Sequence, residues 1–318
     1  MHSMDATSWL LDSDPAIRWQ AMRDLTDASP AAIAAERARV SREGLGTAIL
    51  ALQQSDGAWR KPDAPAWLST LFTLLLLRAT GVDPAAPAAE AALARPAANL
   101  RWSNHGGRWD LRSPDFGGNP FFEGEVEPCI NGGVLAFGAY FGHPNENLAL
   151  RLLGEQLDDG GWNCEAPKSQ RSSFHTTICV LEGLLEFERA AGSSPQSKPQ
   201  IAAARRRAEE YLLERRLFRR LSTGEVASPA FLELAFPPRY HYDILRALDY
   251  FRAAGAPPDP RVAEAVQILS TRQQPDGRWL LDRAWNEALA LPLTESPGEP
   301  SRWNTLRTLR VLRWWQGA

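Results

Sequence analysis

The sequence predicts an all-α protein, specifically an α/α toroid (barrel) of about six helical hairpins with an inner ring of apolar helices and an outer amphipathic ring. Three observations predict it. A turn carrying Gln, Asp-Gly and Trp recurs as Gln53-Gln54-Ser55-Asp56-Gly57-Ala58-Trp59, Gln156-Leu157-Asp158-Asp159-Gly160-Gly161-Trp162 and Gln273-Gln274-Pro275-Asp276-Gly277-Arg278-Trp279. Such a repeat means a closed or stacked array. Helical periodicity dominates and alternates between two helix types, and no segment shows persuasive strand alternation.

The apolar helices are expected at residues 14–25, 66–79, 129–141, 174–191, 240–254 and 302–315. More amphipathic helices are expected between them, at 31–52, 85–93, 145–157, 200–217 and 260–272. Asp-Pro pairs mark helix starts at Asp83-Pro84 and Asp259-Pro260, because Asp caps and Pro suits the first turn. In the repeated turn, Gly takes a positive φ at little steric cost. The Trp folds back on the preceding helix, and the Gln bonds loose carbonyls at that helix's end.

A helix apolar nearly all round must be buried on both sides. Closure explains this better than an open solenoid, since inner-type helices stand at both ends of the chain. One domain over residues 1–318 is expected, because the repeat continues beyond the Gly- and Ser-rich stretch at 192–197. The chain is 44% hydrophobic and 23% charged, with net charge −3. That balance offers no basic footprint for nucleic acid. The Arg-rich stretch from Arg205 to Arg220 is interleaved with Glu209, Glu210 and Glu214 and reads as a solvated helix face. The apolar run 71–77 is too short to span a bilayer. Three cysteines and a start without signal-peptide character point to a reducing cytoplasm.

The starts of the apolar helices carry Trp19, Trp67, Cys129, His175, His241 and Trp303. In a closed ring these converge on one mouth of a central cavity. Cys129, His175 and His241, with Glu127, would make a tetrahedral zinc set. Each has a plainer reading as well, a small buried thiol or a satisfied core imidazole. His241 decides whether the set is closed or whether His241 stands off as an acid/base group. Tyr240 and Asp243 would join it in catalysis, although Asp243 also suits a capping role. Trp67, Trp303 and Trp19 would line the pocket or pack between helices. His105 and Arg108 sit in a polar, Gly-rich loop that reaches the mouth or is a solvated turn. A second Gly-rich stretch, 115–120, suits a lid. Cys164 reads as a free loop thiol rather than a spare ligand, and Cys179 as part of the deeper wall.

The Gln-Asp-Gly-Trp turns resemble those of squalene/hopene cyclases and of protein prenyltransferase β subunits. Glu127-Pro128-Cys129 looks like the latter family's Asp-x-Cys zinc pair, and the stretch from Phe174-His175-Thr176 through Cys179 to Leu184 looks like its His-bearing segment. The resemblance implies zinc and a terpenoid-like substrate. The family's basic clamp before the Asp-x-Cys pair is missing, as residues 118–126 hold no base, so a substrate without diphosphate is expected. No Asp-x-Asp-Asp acid motif of the cyclases is present. The first expectation is therefore a zinc enzyme acting on a bulky apolar or thiol-bearing small molecule. A metal-free acid/base cyclase or lyase and a non-catalytic toroid binding module are the alternatives, and no partner protein is indicated.

Overall fold

Asp14 and Pro15 start a helix as their chemistry requires. The Asp14 carboxylate accepts the Ala16 N–H at 2.8 Å, and Pro15 occupies the first turn. The same carboxylate accepts the Leu45 N–H at 2.8 Å, which ties two segments together. The computed structural model describes residues 5–102, 118–191 and 195–317. Those residues form thirteen α-helices and no strand. In chain order they are α1 (Ala6–Leu11), α2 (Pro15–Leu25), α3 (Pro30–Arg37), α4 (Gly44–Ala51), α5 (Ala66–Thr80), α6 (Pro87–Asn99) and α7 (Pro128–Tyr140). There follow α8 (Glu146–Gly154), α9 (Phe174–Arg189), α10 (Lys198–Glu214), α11 (Ile244–Ala254), α12 (Ala263–Thr271) and α13 (Arg302–Trp315).

The apolar helices contact one another in succession. Trp19 of α2 donates its indole N–H to the Thr80 carbonyl at 2.9 Å, and Gln20 donates to the Ala79 carbonyl at 3.0 Å, joining α2 to α5. Then α5 packs on α7, α7 on α9, α9 on α11, α11 on α13, and α13 on α2. The tightest of these contacts is glycine-made. A Cβ on Gly132 would lie 2.5 Å from the Cys179 carbonyl oxygen, and one on Gly183 would lie 2.4 Å from that of Gly132. Small residues let the α7 and α9 backbones touch. The amphipathic helices lie outside this set and bury one face: Leu148, Ala149 and Leu152 of α8, and Ala265, Val266 and Leu269 of α12.

The repeated turns share one hydrogen-bond pattern. Trp59, Trp162 and Trp279 are fully buried. Their indole N–H groups donate back to the carbonyls of Ile49, Leu152 and Leu269 at 2.7, 2.7 and 2.8 Å. Their backbone N–H groups donate to the hydroxyls of Thr70, Thr177 and Thr305 at 3.0, 3.1 and 3.0 Å. Those threonines lie near the starts of α5, α9 and α13, so each turn pins the end of the preceding helix to the start of the next one. Gly57, Gly160 and Gly277 have φ of 92°, 97° and 81°, the left-handed region that glycine tolerates.

Two expected elements differ and one helix was not expected. The helix expected at 31–52 is broken into α3 and α4, because Gly44 takes φ 64° where Asp14 bonds the start of α4. The helix expected from 240 starts at Ile244, because the Asp243 carboxylate accepts the Arg246 N–H at 2.7 Å and stops the helix there. The short helix α1 has no counterpart in the sequence reading. No helix among the described residues is long and apolar enough to cross a membrane.

Candidate metal centre and cavity

A cavity of about 700 Å³ lies against the first turns of α5, α7 and α9. One wall is apolar, built by Trp67, Leu68, Leu71, Phe72 and Leu75 of α5. The facing wall carries Glu127, Cys129, Cys164, His175, Thr176 and Cys179. Phe72, Leu75, Glu182, Arg239 and Arg246 also line a second space of about 260 Å³.

Pro128 opens α7, which places Glu127 at its N-cap and Cys129 in its first turn. The Cys129 thiol lies 3.6 Å from Glu127 Oε2. Cys164 reaches the same spot through the repeated turn. The Thr177 hydroxyl holds the Trp162 N–H, and two residues on the Cys164 N–H donates to the Thr176 hydroxyl at 3.4 Å. That hydroxyl in turn donates to Cys164 Sγ at 3.4 Å. Donor atoms of Glu127, Cys129 and Cys164 consequently lie within 4.8 Å of one another. Tetrahedral zinc, with sulfur at about 2.3 Å and oxygen at about 2.1 Å, sets its ligand atoms roughly 3.6 Å apart, so this donor set fits the ion. Three protein ligands would leave a fourth position for water or substrate. The hydrogen bond to Cys164 and burial together push the Cys129 thiol well above its ordinary range.

His175 lines the cavity but stands apart from that donor set. Its Nδ1 accepts the Tyr242 backbone N–H at 2.8 Å, so the proton of the neutral ring sits on Nε2. Burial, with help from the Arg246 charge, pulls its pKa down to about 4, which keeps it neutral. His241 is not among the described lining residues. Its ring stacks on Trp285 at 3.6 Å and on Tyr240 at 4.1 Å, and its centroid is 5.9 Å from that of His175. Burial and the charges of His175 and Arg239 depress its pKa to about 3.

The remaining expected site residues disperse. Tyr240 lines the cavity and is 43% exposed. Asp243 is a buried N-cap and lines neither space. Trp67 lines the cavity beside Trp102, with ring centroids 5.1 Å apart. Trp303 stacks on Phe236 at 4.3 Å and borders the second space. Trp19 packs between α2 and α5, against Gly81, and lines neither space. His105, Arg108 and residues 115–117 of the 115–120 stretch lie outside the described residues. Cys179 is buried in the wall, and burial pushes its thiol up to about 11.

Two features went unseen in the sequence. The first is Cys164 as a partner of Cys129; the adjacent pair Thr176-Thr177, one hydroxyl for the Trp and one for the Cys, is the available signal. The second is a buried ion pair on the cavity floor, Glu182 with Arg246, bonded at 2.8 Å through both Nε and a terminal nitrogen. Arg246 also donates to the His241 carbonyl at 2.6 Å and to Cys179 Sγ at 3.6 Å. No protein-family model matches the chain, and no curated protein matches it either.

Proposed function

We propose that the chain is a single α/α toroid enzyme that holds zinc through Glu127, Cys129 and Cys164 and acts on a bulky, largely apolar small molecule. The succession of helix contacts from α2 through α13 and back to α2 supports the toroid. The observation that carries the reading is the convergence of a carboxylate and two thiols within 4.8 Å on the wall of a cavity of about 700 Å³. A lone structural thiol needs no such company, whereas thiol plus carboxylate is a zinc donor set. The reading keeps the expected zinc and replaces the expected His175 and His241 ligands with Cys164. It also keeps kinship with prenyltransferases and squalene cyclases as part of the proposal, and with it a reducing cytoplasm, where the two thiols stay reduced and able to ligate.

Zinc with an open position supplies a bound water or thiolate at neutral pH, or polarises a substrate oxygen. The chain's own residues do the rest. Thr176 orients the Cys164 sulfur through its hydroxyl. His175, neutral and protonated on Nε2, offers a hydrogen bond to a substrate oxygen inside the cavity. Trp67, Leu71 and Phe72 exclude water from the apolar part of the substrate.

Metal analysis of the full chain purified without added zinc tests this. The expected content is about one zinc per chain, lost in both Cys129→Ala and Cys164→Ala. A metal-free wild-type chain that also takes up no zinc on titration would refute the reading.

A further inference from the structure

We propose that the second space adjoining the cavity is an anion site, where Arg239 and Arg307 take the carboxylate or phosphate head of a long-chain amphiphile whose apolar body lies along α5. The site is built from residues outside the metal set. It rests on the metal reading only for which end of the molecule reacts.

The half-buried or buried arginines bordering the second space are Arg78, Arg239, Arg246, Arg252, Arg307 and Arg310, all at most 24% exposed in their side chains. Four of them are matched with carboxylates: Arg246 with Glu182, Arg78 with Glu186, and Arg252 and Arg310 with Asp249, while Asp24, held by Arg23, lies 3.5 Å from Arg310. Arg239 pairs instead with the exposed Glu287, and Arg307 lies 3.8 Å from Asp249 and in the field of the buried Asp243. The remaining bordering arginine, Arg189, is exposed and donates to the Ala253 carbonyl.

The Arg239 and Arg307 guanidinium groups are poorly satisfied. Arg239 is 10% exposed, yet its ion partner Glu287 is 67% exposed, out at the rim. Its Nε is buried without a hydrogen-bond partner, and the group lies 4.0 Å over the Phe72 ring. The Arg239 backbone has φ 52°, an uncommon conformation for a residue with a side chain. Such strain clusters at ligand-binding positions. Arg307 is 7% exposed and donates to the Ala235 carbonyl at 3.0 Å. Its nearest carboxylate, Asp249, is 3.8 Å away and already bonded to Arg310 and Arg252. Burial depresses the pKa of both groups, the direction expected of cations short of counter-charge. A carboxylate or phosphate, matched to the guanidinium fork, would restore the balance.

The shape selects an amphiphile. Arg239 borders both spaces, and Leu68, Leu71, Phe72 and Leu75 run from one to the other along α5. From His175 to Glu182 along α9 is roughly 10 Å at 1.5 Å per residue. A small anion such as acetate cannot reach from the arginines to the thiols, whereas a long chain can.

Isothermal titration of the full chain with dodecanoate, dodecyl phosphate and dodecanol, each below its micellar concentration, tests the proposal. At least one of the two anions is expected to bind one per chain, at least tenfold more tightly than the alcohol. The tighter anion identifies the head group. Arg239→Gln is expected to abolish the preference, and Arg239→Lys, which keeps charge but loses the fork, to retain it with at least threefold weaker binding. Equal affinity for alcohol and anions, no binding at all, or a preference that survives in Arg239→Gln overturns it. Cys129→Ala separates the two readings. Anion binding retained without zinc supports this site alone, and zinc bound by a chain indifferent to head charge leaves the metal reading standing without it.

Discussion

The Nδ1 atom of His175 accepts the backbone N–H of Tyr242 at 2.8 Å. A neutral imidazole can offer one lone pair only, and that lone pair is spent on the backbone. A metal at Nε2 would need the proton on Nδ1, facing the Tyr242 N–H donor to donor. His175→Ala should accordingly keep its zinc. It should lose about 1 kcal/mol of stability, because the buried Tyr242 N–H loses its acceptor. Metal content and urea unfolding of the same preparation check both halves.

The threonines behind the repeated turns carry a second expectation. The Thr177 hydroxyl accepts the Trp162 N–H in a fully buried setting. Thr177→Val keeps the shape and strands that donor, at a cost of about 1–3 kcal/mol. Thr177→Ser keeps the acceptor and should cost far less. Urea denaturation midpoints of the two variants measure the difference, and Thr70 and Thr305 should behave alike.

The α7–α9 contact admits no added methyl. In Gly132→Ala the new Cβ would meet the Cys179 carbonyl carbon and oxygen at 2.6 and 2.5 Å, all of it backbone. The helices must separate, at a cost of about 1–3 kcal/mol or more. Cys129 rides on α7 and Thr176 of α9 holds Cys164, so zinc affinity should fall with stability. Gly142→Ala has nothing within 4 Å but sits at φ 84°, which controls for backbone strain alone. Thermal melts and a competitive zinc chelator read the two effects.

Acid should destabilise the fold early. His241 is faced by Tyr240, Trp285, His175, Arg239, Arg246 and Arg283, and its folded pKa is about 3 against an ordinary 6.5. The unfolded chain binds a proton there between those values and the folded chain does not, so stability is full above about pH 6.5 and falls as pH drops toward 3. His175, depressed to about 4, adds to the same window. His241→Phe keeps a flat ring in the stack and removes the titration. Its stability should decline less steeply than the wild type's between pH 7 and 4 in urea titrations.

Much of the fold is legible because helix periodicity is local. The expected 302–315 helix and α13 share both ends, since Ser301 caps and the apolar stripe needs no distant help. The break at Gly44 was illegible because its cause is Asp14, thirty residues earlier. The start of α11 was blurred by the aromatic and apolar residues Tyr240 and Tyr242, which continue the helical pattern while standing outside the helix. In the site, Glu127 and Cys129 are readable from Pro128 and the apolar helix that follows. Cys164 is not, since its placement depends on how the turn after Trp162 folds onto Thr176 and Thr177. The clustered arginines are likewise invisible until α5, α9, α11 and α13 are set side by side.

The account stands on which atoms grip the metal, and zinc-edge X-ray absorption of the zinc-loaded full chain reads them directly. Two sulfur neighbours at about 2.3 Å, with nitrogen or oxygen at about 2.0–2.2 Å, are predicted. Cys164→Ala should remove one of the sulfurs or the ion itself. A single sulfur with the outer-shell scattering of imidazole, unchanged in Cys164→Ala and abolished in His175→Ala, would contradict it.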